Sequence, residues 1–213
     1  MAVKEALLGI LTLGPAYGLQ LHAELCQRAP HRSRTNVGQI YGTLERQIVA
    51  GLVVRFGETA DGLPLYSLTE KGHEHAEGWL TGHDLTVVND WPELLDRVLI
   101  ARSLSGTFLE AIIGAYEIIL TTERPTVSLP GQGLSALAAA ATARFEGAAL
   151  GWLGDVRRDM THRSHLEKTD EQADDWLPVG RGYNTDRPKR GRPAQIEATP
   201  RKKRLSEEAG PRY

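Results

Sequence analysis

Apolar residues recur along the first eighty positions with a helical period and then, briefly, with the period of a strand. Val3, Leu7, Leu8, Ile10, Leu11 and Leu13 cover most of a short segment that Gly14-Pro15 stops, which predicts a buried helix. A second helix is expected from Gly18 to about Arg28, with Leu21 and Leu25 inward and Ala29-Pro30 ending it. A basic connector, His31-Arg32-Ser33-Arg34, leads into TNVGQIYGTLERQIVAGLV, Thr35 to Val53. At ~100° per residue, Val37, Ile40, Leu44 and Ile48 of this stretch share one side, with Tyr41 and Leu52 at its edge. The other side carries Thr35, Gly38, Gln39, Gly42, Thr43 and Arg46. After Gly51 the period changes: Leu52 to Phe56 reads as a strand, Gly57 to Gly62 as a turn, and Leu63 to Leu68 as the returning strand of a hairpin. Thr69 then caps a helix that runs to Trp79-Leu80, and Thr81-Gly82 breaks it. Helix, short turn, helix, with bases at the junction and a hairpin wing behind, is helix-turn-helix order. This first unit is expected to span residues 1–82.

Two glycines inside a helix cost about 1 kcal/mol each relative to alanine, so a helix with both on one face has a reason for that face to be bare. Close approach of another surface is such a reason. Gln39 and Arg46 carry groups that reach base edges by bidentate hydrogen bonds, and Asn36 is a good N-cap whose neighbouring N–H groups can face a phosphate. The stretch reads as a recognition helix for DNA. The plainer alternative is a globular helix with two tolerated glycines.

Residues 83–178 read as mostly helical. Asp90-Trp91-Pro92-Glu93 is a start signal followed by Leu94, Leu95, Val98 and Leu99. Thr107-Phe108-Leu109-Glu110 has capping-box spacing and opens a strongly apolar helix through Tyr116 to Leu120. Pro125 and Pro130 punctuate, and Gly133 leads into a long Ala-rich helix with Leu137, Ala141, Phe145, Ala148, Trp152 and Val156 along one stripe. Small residues at helical spacing permit close packing, either in a two-fold interface built by residues 92–165 or in an intramolecular bundle. Trp79, Trp91, Phe108, Tyr116 and Trp152 lie at or after the junction of the two units. Such rings can line a pocket for a small, flat aromatic effector, or simply be core.

From about Leu177 the apolar period fails, and residues 179–213 are expected to be a disordered basic tail. Within it Lys189-Arg190-Gly191-Arg192-Pro193 is similar to an AT-hook core, in which Arg190 and Arg192 would follow the minor groove of A·T-rich DNA. Arg201-Lys202-Lys203-Arg204 would add phosphate contacts without sequence information. A solvated tail is the alternative.

Charge sharpens this division. Residues 1–80 hold 7 Lys/Arg against 8 Asp/Glu, residues 81–180 hold 8 against 15, and residues 181–213 hold 10 against 4. An anionic partner thus suits the tail and not the middle. No run of about 18 apolar residues suggests a membrane span, and the N-terminal segment does not read as a signal peptide. The single cysteine, Cys26, rules out an intramolecular disulfide and a cysteine-based zinc cluster, which fits a reducing cytoplasm. His73 and His75 diverge on a helix, and His162 and His165 lack carboxylate or cysteine company, so no metal site is expected. No HExxH, GxSxG, Walker or GxGxxG pattern occurs. No catalytic residues and no cofactor are therefore expected.

The succession LLGILTLGPAYGLQL, GQIYGTLERQIVAGLV and LYSLTEKG with a trailing WL resembles the winged-helix domain of PadR-type bacterial transcriptional regulators, over residues 3–80. The resemblance implies a mainly α fold with a small β-hairpin wing, a winged helix-turn-helix joined to an α-helical dimerisation domain. It implies a cytoplasmic, nucleoid-associated homodimer, usually a repressor, whose third helix enters the major groove of double-stranded DNA at a pseudo-palindromic operator. The positions that match the family's DNA-facing places are Tyr17, Asn36, Gly38, Gln39, Tyr41 and Thr43, to which Arg34 and Arg46 add charge. One departure is the wing, GETADGLPLY, which has Glu58 and Asp61 and no base between Arg55 and Lys71. This counts against wing contact with a minor groove. It also keeps open a second class of function, a winged-helix adaptor that binds protein and reads no DNA.

Overall fold

A computed structural model describes residues 2–86, 88, 90–122 and 133–166, with side chains placed as far as Thr161. Pro125, Pro130 and the tail with Arg190 and Arg192 lie outside the described residues. In chain order the elements are α1 (Ala2–Leu11), β1 (Ala16–Tyr17), α2 (Gly18–Arg28), a 3₁₀ turn (Pro30–Arg32), α3 (Val37–Val49), β2 (Val53–Glu58), β3 (Pro64–Leu68), α4 (Glu70–Thr81), α5 (Trp91–Leu104), α6 (Gly106–Thr122) and α7 (Leu134–Leu166). The fold is mainly α, a winged helix-turn-helix followed, among the described residues, by three further helices.

Local chemistry sets several of the helix ends. Asn36 caps α3 by accepting a hydrogen bond from Gly38 N at 2.6 Å, Thr69 caps α4 through Gly72 N at 3.0 Å, and Asp90 caps α5 through Glu93 N at 2.6 Å. Gly82 closes α4 in the left-handed region at φ 78°, which a glycine adopts without strain. The expected capping box at Thr107 is corrected: the cap lies two residues earlier, at Ser105, whose hydroxyl accepts from Phe108 N at 3.2 Å, and α6 starts at Gly106. A hydroxyl one turn ahead of Phe108 satisfies its N–H in place of Thr107.

The sheet is antiparallel in the order β1-β3-β2. Strand β1 has only two residues, too few to show as a period in the sequence, and pairs Ala16 with Tyr66 and Tyr17 with Leu65. The wing strands match the expected hairpin, with β2 extended to Glu58. The register of β2 slips between Arg55 and Gly57, so Phe56 is the extra residue of a bulge and is 64% exposed.

One buried cluster runs from Ala6, Leu7 and Ile10 of α1 through Leu21, Leu25, Ile40 and Leu44 to Leu94, Val98 and Ile100 of α5 and Ile112, Ile113 and Tyr116 of α6. Helix α5 therefore packs against the helix-turn-helix as well as against α6. Helix α7 spans about 50 Å at 1.5 Å per residue. Its Ala149, Leu153 and Val156 are buried, while Leu134 and Leu137 are 85% and 69% exposed.

Candidate nucleic-acid interface

The candidate surface is built on α3. Its buried residues are Ile40, Thr43, Leu44 and Gln47, a stripe turned by roughly 50°, at ~100° per residue, from the one expected around Val37, Ile40, Leu44 and Ile48. Thr43, expected on the open face, is corrected: it is only 3% exposed. Threonine is small, and its hydroxyl accepts from Arg46 Nη2 at 3.0 Å, so its burial leaves no polar group unpaired. Tyr41 is half-buried and its ring covers Gly18 at the start of α2, where an added Cβ would lie 2.5 Å from the ring. Tyr17 is buried at 8% exposure within β1. Neither tyrosine lies open on the surface in the way the sequence suggests.

What α3 does leave open is Asn36, Gly38, Gln39, Glu45, Arg46 and Val49. Gly38 is open as the bare-face argument requires, whereas Gly42 is half-buried. A Cβ on Gly38 would touch only Asn36, and one on Gly42 would meet only Arg46 Nη1 at 3.7 Å, so the guanidinium folds back across Gly42. The side chains of Arg34, just before the helix, and Gln39, on its first turn, are exposed and carry no hydrogen bond among the described residues. At this end of α3, Asn36 occupies the N-cap and the helix dipole favours an anion.

Several bases near this surface are engaged by groups of the protein itself. Arg32 Nε and Nη2 donate to Asp96 Oδ1 and Oδ2 of α5 at 3.0 and 2.6 Å, and His31 Nε2 donates to Asp96 Oδ1 at 2.8 Å. The Asp96 hydrogen bond raises the Arg32 pKa further above its ordinary value, despite an opposing burial effect. Arg55 Nη2 donates to Glu45 Oε1 at 2.6 Å, which ties the wing to α3 and neutralises the wing's one base. Arg28 is buried and donates through Nη1 to Ser103 O and Oγ of α5 at 2.8 and 2.9 Å. Nothing in the apolar pattern announces these pairs, because each joins residues well separated in the chain.

The five aromatic residues considered as an effector pocket separate. Trp79 and Tyr116 are core, and Trp79 lies under Arg97, whose Cζ is 5.3 Å from the ring centroid. Arg97 also donates to Trp79 O at 2.8 Å and to Asp84 at 2.7 and 3.0 Å, bonding the end of α4 to α5. Burial drives the Tyr116 pKa upward, outweighing the lowering effect of Arg97. Trp91 contacts Trp152 at 5.7 Å and Phe145 at 6.1 Å between centroids, and all three are half-buried. Phe108 is half-buried against the core. Among the described residues no group of His, Cys, Asp or Glu is arranged to hold a metal, and no helix is long and apolar enough to cross a membrane.

No family model matches the chain, and no curated protein matches it. Among solved structures, the crystal structure of Bacillus subtilis PadR in complex with operator DNA is similar at 19% identity, covering 72% of this chain and 94% of that one, with a TM-score of 0.34.

Proposed function

We propose that this chain is a PadR-type transcriptional regulator, a homodimeric repressor that reads a pseudo-palindromic operator in double-stranded DNA with α3, and neither an enzyme nor a cofactor protein. The observation that carries the reading is the exposed start of α3, with unengaged Arg34 and Gln39, the Asn36 cap and the bare Gly38 above a firmly buried stripe. Gln39 and Arg46 are the base readers, and Arg34 and the N–H groups around Asn36 hold phosphate. Readout is assigned to the helix ahead of the wing, whose exposed Glu58 and Asp61 face an anionic partner poorly. Two copies would place their recognition helices about 34 Å apart, one turn of DNA. An aromatic effector is proposed at the half-buried Trp91 and Trp152, the two of the five rings that pack against each other. Tryptophan quenching by planar aromatic compounds, with release from DNA, checks that assignment.

Footprinting of the purified protein on the DNA upstream of its own gene tests the reading, followed by Gln39→Ala. The substitution is expected to cost ~1 to 3 kcal/mol at one base position and flatten preference there. An unchanged specificity profile would sink the assignment of Gln39. A second reading, a protein-binding adaptor, has one observation in its favour: the wing exposes Val54 and Phe56 beside Glu58. Absence of any protected DNA site, together with loss of a protein partner on Phe56→Ser, would favour it.

A further inference from the structure

Helix α5 presents Asp96, Ile100 and Ser103 at i, i+4 and i+7, hence on one face. Asp96 is fully buried, and Ile100 packs so near α1 that a Cβ on Gly9 would lie 3.2 Å from its Cγ2. Ser103 receives Arg28 from the last turn of α2. The face is thus seated along the helix-turn-helix, with its one charge at the 3₁₀ turn. A buried carboxylate is tolerable only when its lone pairs are filled. Three donors from His31 and Arg32 fill both oxygens of Asp96, and the two-pronged arginine pairing fixes orientation as well as distance.

The connector beyond that turn is short. Ser33 to Asn36 join the turn to α3, Thr35 N donates to Arg32 O at 2.9 Å, and His22 Nε2 donates to Thr35 O at 2.7 Å. The connector is therefore held by α5 at one end and by α2 at the other, directly ahead of the cap that starts α3. Few soft dihedrals lie between Asp96's partners and Gln39. Displacement of α5 would be passed to the first turn of α3 without α5 touching DNA.

We propose that Asp96 is a positioning residue for DNA readout, fixing through His31 and Arg32 the connector that sets how α3 is presented. This rests on the DNA-reading role of α3 given above. The test is amide hydrogen exchange on the free full-length protein, with Asp96→Asn and Arg32→Gln, alongside operator binding over a range of salt. Arg32 is partly solvent-exposed, so its variant keeps the test open if Asp96→Asn does not fold. Exchange across residues 33–41 is expected to rise about tenfold, from the broken hydrogen bonds to a charged group, with α1 and α6 unchanged. Operator affinity is expected to fall about tenfold with the salt slope preserved, since every phosphate partner is still in place. Unchanged exchange at 33–41, or an equal rise in every helix, would overturn the proposal. So would Arg32→Gln lowering the salt slope by about 0.9, the mark of an arginine bound directly to phosphate. A wild-type chain that binds no DNA would overturn the DNA reading itself, and the exchange measurement would still decide whether Asp96 holds the connector.

Discussion

Gly72 offers the sharpest perturbation of the joint between wing and recognition helix. At this joint Thr69 N donates to Leu52 O at 3.0 Å, Thr69 Oγ1 donates to Gly51 O at 2.8 Å, and Gly72 N donates to Thr69 Oγ1 at 3.0 Å. A Cβ on Gly72 would fall 2.0 Å from Leu52 O and 3.0 Å from its carbonyl carbon. A backbone oxygen already engaged by Thr69 cannot swing aside as a side chain does, so α4 must lift away from the turn between α3 and β2. Overpacking of this kind costs ~1 to 3 kcal/mol, and the two hydrogen bonds from Thr69 contribute ~0.5 to 1.5 kcal/mol each. Alanine's better helix propensity returns only ~1 kcal/mol. The net for Gly72→Ala is a loss of about 3 kcal/mol, or roughly 6 to 12 °C in Tm for a chain of this size. Gly78, on the same helix, has nothing within 4 Å of its Cβ position, so Gly78→Ala should raise stability by up to ~1 kcal/mol. Urea unfolding followed by tryptophan fluorescence measures both. Equal stability of the two variants would show that propensity alone governs α4 and that the close approach at Leu52 carries no energetic weight.

Two expectations concern regions beyond α3. If the exposed start of α7 is the two-fold interface, Leu137→Asp should turn a dimer into a monomer by light scattering at micromolar concentration and weaken operator binding; a wild-type monomer with full operator affinity would remove the dimer from the proposal. Deleting residues 181–213 should weaken binding to any DNA and lower the slope of log affinity against log salt by about 0.9 for each phosphate that the tail neutralises, while core operator preference survives. Substituting Arg190 and Arg192 alone should reduce preference for A·T-rich flanks, and identical slopes for full-length and truncated protein would leave the tail without a DNA role.

Elements whose causes are local are legible along the chain. Asn36, Thr69 and Asp90 cap the helices they precede, Gly82 ends α4 with a positive φ, and the change of period after Gly51 marks the hairpin. Each depends on residues within about one turn, so neighbouring positions suffice to specify it. The same holds for Gly38, Gln39 and Arg46 on the open face of α3, because a helical wheel needs only the helix. The arc that α3 buries is set by its neighbours, which take in Thr43 and Gln47 and leave Val37 and Ile48 half-buried. Tertiary structure also divides the bases near the recognition helix. Arg32 meets a carboxylate 64 positions away and Arg28 a carbonyl 75 positions away, whereas Arg34 meets neither kind of partner among the described residues. In sequence these arginines look alike, since each lies on a polar, basic stretch. Only the docking of α5 separates a buried tether from a side chain left for solvent or a ligand, because ion pairing depends on distance in space and the chain carries no local mark of where its distant segments will lie.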